Sequence, residues 1–419
     1  MRAILTPGVL PATDQAKAAS ILRACVHCGF CNATCPTYQV LGDELDGPRG
    51  RIYLMKSLLE GGEVSATTQT HLDRCLGCRA CETTCPSGVQ YNRLLELVRP
   101  RVDARVPRTA PTRLKRWLLR KLIPYPTRFG TLLAVGRIVR GFLPAAFRRY
   151  IPAASSARYQ AQPVARPRAN YVLFEGCVQE RAAPQINRAA AQILSDMQIT
   201  LQRVGGAGCC GALPLHLGAM DEAEACARRN IDAWTPFLEG EMAATGVFCA
   251  SSGCTQVMKD YGHLLRHDPT YASRASRMSA LICDAGEVID AESIRGLCLP
   301  ESDRGAIAFQ APCSLQHGLK GHLPVNEALR AAGYRLLPVA ESHLCCGSAG
   351  SYSLLQPAIA TALRSRKLAA LSNGAPEAIA SANIGCLLYL QQTASVPVRH
   401  WLELVADAIA ADAGIHRTQ

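Results

Sequence analysis

The sequence predicts a multidomain chain of mixed α+β and α/β class, with a mainly helical, cysteine-dense N-terminal region followed by two tandem α/β units. Three observations carry this. Eight of the chain's 20 cysteines fall between Cys25 and Cys85, in two copies of one pattern. Two later stretches repeat the order Cys, Cys-Cys-Gly, Gly-Cys with the same first interval, 32 residues from Cys177 to Cys209 and 32 from Cys313 to Cys345. Within each stretch, short apolar runs of strand length alternate with amphipathic runs of helix length. The duplication has a period of 136 residues, from Cys177 to Cys313, which suits tandem domains and is too long for a solenoid.

With 419 residues, 48% of them hydrophobic, the chain can bury real cores, which excludes global disorder. The formal charge of +12 is local in origin. Between Arg99 and Arg168 stand 17 Lys and Arg residues against one acid, Asp103. Composition therefore divides the chain into a cysteine-dense region at 1–98, a basic connector at 99–168, and two Cys-Cys-Gly units at 169–295 and 305–412. The apolar stretch Thr131–Phe147 is broken by Arg137 and Arg140 and falls short of the roughly 20 residues a membrane span needs. The start, MRAILTPGVLPATDQ, lacks a proper apolar signal core. A cytoplasmic, reducing setting is expected, where this many cysteines point to metal or redox work.

Residues 25–36 read CVHCGFCNATCP and residues 75–86 read CLGCRACETTCP, so C-x2-C-x2-C-x3-C-P occurs twice. This is the bacterial ferredoxin run. Three thiolates spaced by two residues can wrap three corners of a cubane from one tight loop, and the fourth ligates the other cluster. One [4Fe-4S] cluster is expected on Cys25, Cys28, Cys31 and Cys85, the other on Cys75, Cys78, Cys81 and Cys35. Structural zinc, the bland alternative, uses two C-x2-C knuckles instead. His27 and His71 read as packing or hydrogen-bonding residues. The intervening Gly47–Leu59 reads as a helix with Pro48 in its first turn, placing Ile52, Met55 and Leu59 under the clusters.

In the later units, Asn170–Glu175 and Ala306–Gln310 read as buried strands that run into the first cysteines. Pro184–Met197 follows as a helix, and second strands at Ile199–Val204 and Tyr334–Val339 lead to the Cys-Cys-Gly turns. Ligands of an open parallel sheet gather outside the strands' carboxyl ends. Each half therefore offers four thiolates, Cys177, Cys209, Cys210 and Cys254 in one and Cys313, Cys345, Cys346 and Cys386 in the other. Further iron–sulfur binding is the expectation; zinc, or plain core packing of buried cysteines, stays open. Cys226, Cys249, Cys283 and Cys298 have no counterpart and read as core. Gly206–Gly211 (GAGCCG) formally matches a dinucleotide fingerprint, but HLCCG stands at the same place in the other half, which argues against that reading.

In the connector, residues 113–122 (RLKRWLLRKL) put Leu114, Trp117, Leu118 and Leu122 on one helical face, and Arg113, Lys115, Arg116, Arg120 and Lys121 mostly on the other. Such a helix suits an anionic membrane surface or the flank of a partner subunit better than nucleic acid.

A doubled ferredoxin run followed by two Cys-Cys-Gly units resembles the iron–sulfur subunits of glycolate oxidases, more properly glycolate dehydrogenases, over nearly the whole chain. The segments that carry the likeness are DGPRGRIYLMK (Asp46–Lys56), FEGCVQ (Phe174–Gln179), CCGALPLHLG (Cys209–Gly218), CCGSAGSY (Cys345–Tyr352), ANIGC (Ala382–Cys386) and HWLEL (His400–Leu404). The resemblance implies FAD-bearing partner subunits that oxidise glycolate to glyoxylate, and a chain that takes their electrons toward a membrane acceptor, a quinone. It implies a peripheral place on the cytoplasmic face of the inner membrane, no catalytic residue in this chain, and no glycolate turnover by the chain alone. Subunits for lactate or glycerol-3-phosphate oxidation share the architecture and remain alternatives, as do a heterodisulfide-reductase-like enzyme and an iron–sulfur scaffold or sensor. Some Cys-Cys-Gly families end on C-x2-C; here Ser251 and Asn383 hold the earlier position, leaving four thiolates per half where those families have five.

Overall fold

The computed structural model describes residues 3–144, 148, 150–152, 159–299 and 303–416. The end of the Thr131–Phe147 stretch, residues 145–147, lies outside the described residues.

Short helices dominate the first hundred residues because the cysteine loops leave room for little else. Gly29 and Arg79 take left-handed conformations (φ 85° and 64°) that turn each loop into a one-turn helix, Phe30–Ala33 and Ala80–Thr84. Pro48 opens the Pro48–Leu59 helix, its fixed φ suiting the first turn. Ile52, Met55, Leu58 and Leu59 bury one face of that helix against Leu94 and Val98 of the Tyr91–Arg105 helix. The latter continues from the cysteine-dense region into the basic segment. Two further helices, Ala110–Leu122 and Pro126–Val139, complete the segment.

The Ala110–Leu122 helix is amphipathic, and its orientation is set by acids on the protein body. Arg116 is buried beside Asp73 and Asp103 and donates to the Leu217 carbonyl at 3.0 Å, while Arg120 and Lys121 both reach Glu222. The apolar face is left outward, with Leu114, Trp117 and Leu118 exposed. No helix among the described residues is long and apolar enough to cross a membrane.

Each Cys-Cys-Gly unit is a four-stranded parallel sheet. The first joins β1 (Ala169–Phe174), β2 (Ile199–Arg203), β3 (Gly246–Cys249) and β4 (Ile282–Asp284) in the order β2-β1-β3-β4. The second joins β5 (Ala306–Gln310), β6 (Arg335–Leu337), β7 (Ala378–Ser381) and β8 (Val398–His400) in the order β6-β5-β7-β8. The strands are short and wholly or partly buried because helices cover both faces, the usual condition of parallel sheets. One core spans both units: Leu173 and Phe248 share it with Ile307, Phe309 and the wholly buried Trp401. The C-terminal Trp401–His416 helix packs against the Gln185–Asp196 helix of the first unit.

Candidate metal centres

Two cavities lie side by side in the N-terminal region. Cys25, Cys28, Cys31 and Cys85 line the first. Cys35, Cys75 and Cys78 line the second, and Cys81 lines both, so a single wall divides them. The fold thus carries the fourth cysteine of each run to the other run's loop. All eight sulfurs are free thiols here and stand for the thiolates a metal would hold. Burial pushes Cys31 up to about 11, and Cys78 and Cys81 well above the usual thiol range. Burial disfavours the thiolate form of these three, and metal binding would deprotonate each coordinating thiol. The donor set, four cysteines to a cavity, fits iron–sulfur ligation.

Their surroundings differ. At the first loop Cys28 is exposed, and Val26 (67%) and Phe30 (61%) stand bare beside it. The second loop is enclosed. Arg51, 1% exposed, points its guanidinium at that cavity, with Nη1 3.0 Å from Thr37 Oγ1 and 3.9 Å from Cys35 Sγ. Asp46, wholly buried, holds Arg51 at 3.3 Å and Arg74 at 2.8 Å, and His71 Nδ1 lies 3.0 Å from its carboxylate. His71 therefore serves an ion-pair network and Arg51 places a cation by the Cys35 sulfur, a role that sequence spacing gave no sign of.

In the later units, the first, paired and last cysteines each follow a different strand's carboxyl end, as the topology requires. Gly211 (φ 89°) and Gly347 (φ 88°) make the turns after the pairs, and a side chain there would press on the carbonyls of Ala223 and Ala360 at 3.1 and 2.5 Å. In the second unit Cys313 Sγ lies 4.0 Å from Cys345 Sγ, and Cys346 is in reach of Cys345 and Cys386. In the first, Cys209 is in reach of Cys177, Cys210 and Cys226, and Cys254 of Cys210 and Cys249. Hydrogen bonds from the Cys209 thiol to Cys177, Cys210 and Cys226, together with burial, push Cys209 well up.

Cys226 and Cys249 are buried in the core, as the sequence reading expected, and they also stand within reach of the sulfur set. Their counterparts explain why duplication hid them. Leu363 sits against the Gly347 turn where Cys226 sits against Gly211, and Ser381 ends β7 where Cys249 ends β3. Cys283 and Cys298 stand apart, the one beside Glu287, the other beside Asp412. Ser251 and Asn383, the positions where a fifth cysteine is missing, hydrogen-bond to one another across the two units, Oγ to Oδ1 at 3.1 Å.

The second unit also touches the second ferredoxin loop. Cys78 lies close to both Cys313 and Cys345. His317 Nε2 faces the His343 carbonyl at 2.9 Å and so carries the proton, which leaves Nδ1 to accept from Thr83 Oγ1 at 3.0 Å.

Residues 21–89 match the 4Fe-4S dicluster domain family, and residues 171–259 and 307–391 each match the cysteine-rich domain family. The chain is 46% identical to the glycolate oxidase iron-sulfur subunit of Escherichia coli K12 over 94% of this chain and 95% of that one. It is 27% identical to a probable glycolate oxidase iron-sulfur subunit of Bacillus subtilis 168 over 88% of each, and 22% identical to lactate utilization protein A of an Exiguobacterium over 57% of this chain and 98% of that one. A hypothetical protein from Helicobacter pylori, known from a crystal structure, shares the fold at a TM-score of 0.54 and 8% identity, over 97% of this chain and 75% of that one. With nearly half of all positions identical along almost the whole of both chains, the present chain belongs to the family of glycolate oxidase iron–sulfur subunits.

Proposed function

We propose that this chain is the electron-transfer subunit of a flavin-dependent glycolate dehydrogenase complex, in which partner subunits bearing FAD oxidise glycolate to glyoxylate and this chain conducts the electrons to a membrane quinone. The observation that carries it is the pair of adjoining cavities sharing the Cys81 wall, each completed by a cysteine from the opposite loop. Cys25, Cys28, Cys31 and Cys85 hold one [4Fe-4S] cluster; Cys75, Cys78, Cys81 and Cys35 hold the other. Bound clusters supply one-electron steps between neighbouring sites. The chain's own residues then set direction: the bare Val26 and Phe30 rim at the first loop receives the flavin subunits, and Arg51 steadies the more reduced state beside Cys35. Cys177, Cys209, Cys210 and Cys254, and Cys313, Cys345, Cys346 and Cys386, bind further metal, with Cys226 and Cys249 enlarging the first set.

Attachment to the membrane is peripheral, on the cytoplasmic face, through the outward Leu114, Trp117 and Leu118, with the nearby basic residues drawing the segment to anionic lipid. Changing those three to Ser releases the complex from vesicles of anionic lipid. Retention on vesicles with loss of the flavin subunits would show instead that the helix is a subunit interface.

The test of the main reading is metal content with activity. The complex prepared anaerobically contains about eight irons for the two cubanes, more if the later units are filled, and oxidises glycolate with a dye acceptor. The chain freed of its partners contains the iron yet does not turn over glycolate. Zinc without acid-labile sulfide, or glycolate turnover by this polypeptide alone, sinks the proposal.

A further inference from the structure

A cleft of about 380 Å³ opens where the second ferredoxin loop meets both later units. Its floor is Cys75–Gly77. Its sides come from the segments just beyond each Cys-Cys-Gly turn, Leu215–Gly218 from one and Ala349, Ser351 and Tyr352 from the other, and Thr109, Thr112 and Arg116 lie along it at the start of the Ala110–Leu122 helix. The second ferredoxin loop and both later units therefore border one space.

Its charge is unbalanced in a telling way. Asp73 and Asp103 are already matched by Arg108 and Arg116, and Glu96 by Arg93. Arg99 has no carboxylate partner among the described ion pairs. Its Nη1 and Nη2 donate to the carbonyls of His216 and Leu72 at 3.1 and 2.8 Å, but its buried Nε meets no acceptor. His216 lines the cleft as an exposed residue, and its ring nitrogens have no hydrogen-bond partner among the described residues. The Leu215, Leu217 and Met220 side chains make the rest of that wall apolar.

We infer that this cleft binds the head group of a quinone, with Arg99 and His216 facing its carbonyl oxygens. The inference rests on the electron-transfer reading above and gives its acceptor a place. The volume lies in the range of ligand sites and far exceeds what a two-carbon acid fills. Arg99 and His216 at one end, with Leu215, Leu217 and Met220 along one wall of an otherwise polar cleft, match a ring that is apolar in its body and accepts hydrogen bonds at its carbonyls. The helix that borders the cleft exposes Leu114, Trp117 and Leu118 on its other face, so the cleft lies next to the surface that the reading above gives to lipid. A cluster held by Cys75 and its partners behind the Cys75–Gly77 wall would supply the quinone with two electrons, one at a time. The quinone takes two protons from water at the open mouth, each carbonyl oxygen becoming a hydroxyl, and leaves as the quinol. Glycolate oxidation on the partner subunits replaces the electrons.

The experiment uses the intact complex and a short-chain ubiquinone, measuring binding by calorimetry and the ratio of quinone-linked to dye-linked turnover. Wild type binds the quinone. Arg99→Gln, which removes the donor, and Thr112→Trp, which fills the slot from another element, each weaken binding and lower the turnover ratio at least tenfold, chiefly through the KM for quinone, with iron and sulfide content at the wild-type level. Unchanged quinone binding in both variants overturns the site while leaving the acceptor reading intact. A wild-type complex that reduces dye but neither binds nor reduces quinone overturns the acceptor reading itself, and binding of glyoxylate in place of quinone overturns the ligand class.

Discussion

The two ferredoxin loops are written in one pattern and end in different surroundings. The loop at residues 25–35 lies at the surface, with Cys28 exposed and Val26 and Phe30 uncovered. The loop at residues 75–85 is roofed by the second Cys-Cys-Gly unit through Thr83 and His317, and by Tyr352, whose hydroxyl donates to the Arg74 carbonyl at 2.9 Å. Arg51 and Asp46 add a buried charge network on that side. A repeated motif thus fixes which cysteines each loop presents, while the neighbours each copy meets decide how exposed and how charged its surroundings are.

The severest break of that comparison is removal of a ligand from either copy. Cys78→Ser is expected to lose one cluster's spectroscopic signal and to cut acceptor-linked turnover at least a hundredfold, with flavin reduction by glycolate intact. Cys28→Ser loses the other signal, so the two variants separate the loops. If either substitution left both signals in place, the assignment of four cysteines to each cavity is wrong.

Arg51 sharpens the contrast by acting on one loop alone. A buried cation near a thiolate favours the more negative, reduced state, since charges interact strongly where water is excluded. Arg51→Gln is expected to lower the potential of the second-loop site by roughly 60 mV, a factor of about ten for one electron, and to leave the first where it was. Arg51→Lys recovers most of the shift. Redox titration followed by electron paramagnetic resonance reads both sites in one sample, and an equal shift at both removes the distinction.

At the exposed loop the expected effect is on assembly. Val26→Ser combined with Phe30→Ser weakens the attachment of the flavin subunits about tenfold, roughly 1.4 kcal/mol, with both potentials unchanged. Co-purification at graded dilution measures it, and undiminished assembly moves the docking surface elsewhere.

The mildest effect is on pH. Burial raises Cys31 from the usual 9.0 to about 11 and raises Cys78 and Cys81 as well. The folded, metal-free chain therefore keeps protons that an unfolded chain sheds above about 9.0. The stability this contributes is complete below that pH and fades as pH climbs through about 11. Iron uptake expels the same protons, so reconstitution of the metal-free protein is expected to run a few-fold faster at pH 9 than at pH 7. Iron incorporation followed by absorbance tests this; equal rates at both pH values remove burial as the cause.

Much of this architecture was legible before any coordinates. The strand expected at Ala306–Gln310 spans those residues, and Pro48–Leu59 and Gln185–Asp196 fall within a residue of the expected helices, because each has a strong periodic pattern and a proline or glycine to mark its limits. The match of the two Cys-Cys-Gly units followed from covalent spacing alone. What the spacing could not give was divergence between the copies. Cys226 and Cys249 looked solitary because Leu363 and Ser381 replaced their partners, and nothing in one linear copy says that a helix face and a strand end meet at the same turn. The missing fifth cysteines were visible as Ser251 and Asn383, but their hydrogen bond joins residues 132 positions apart.

The connector shows the same limit in its plainest form. Sequence by itself determined that Ala110–Leu122 is an amphipathic helix, since a 3.6-residue period is a local property of the chain. Which face turns outward was decided only when Asp73, Asp103 and Glu222 came up beside Arg116, Arg120 and Lys121 and took the cationic face inward. Local pattern can specify an element and its candidate ligands, because those depend on neighbours a few bonds away. Electrostatic partners, shared sulfurs and the cleft beside Arg99 depend on residues brought together by folding, and for that reason they belong to the tertiary structure.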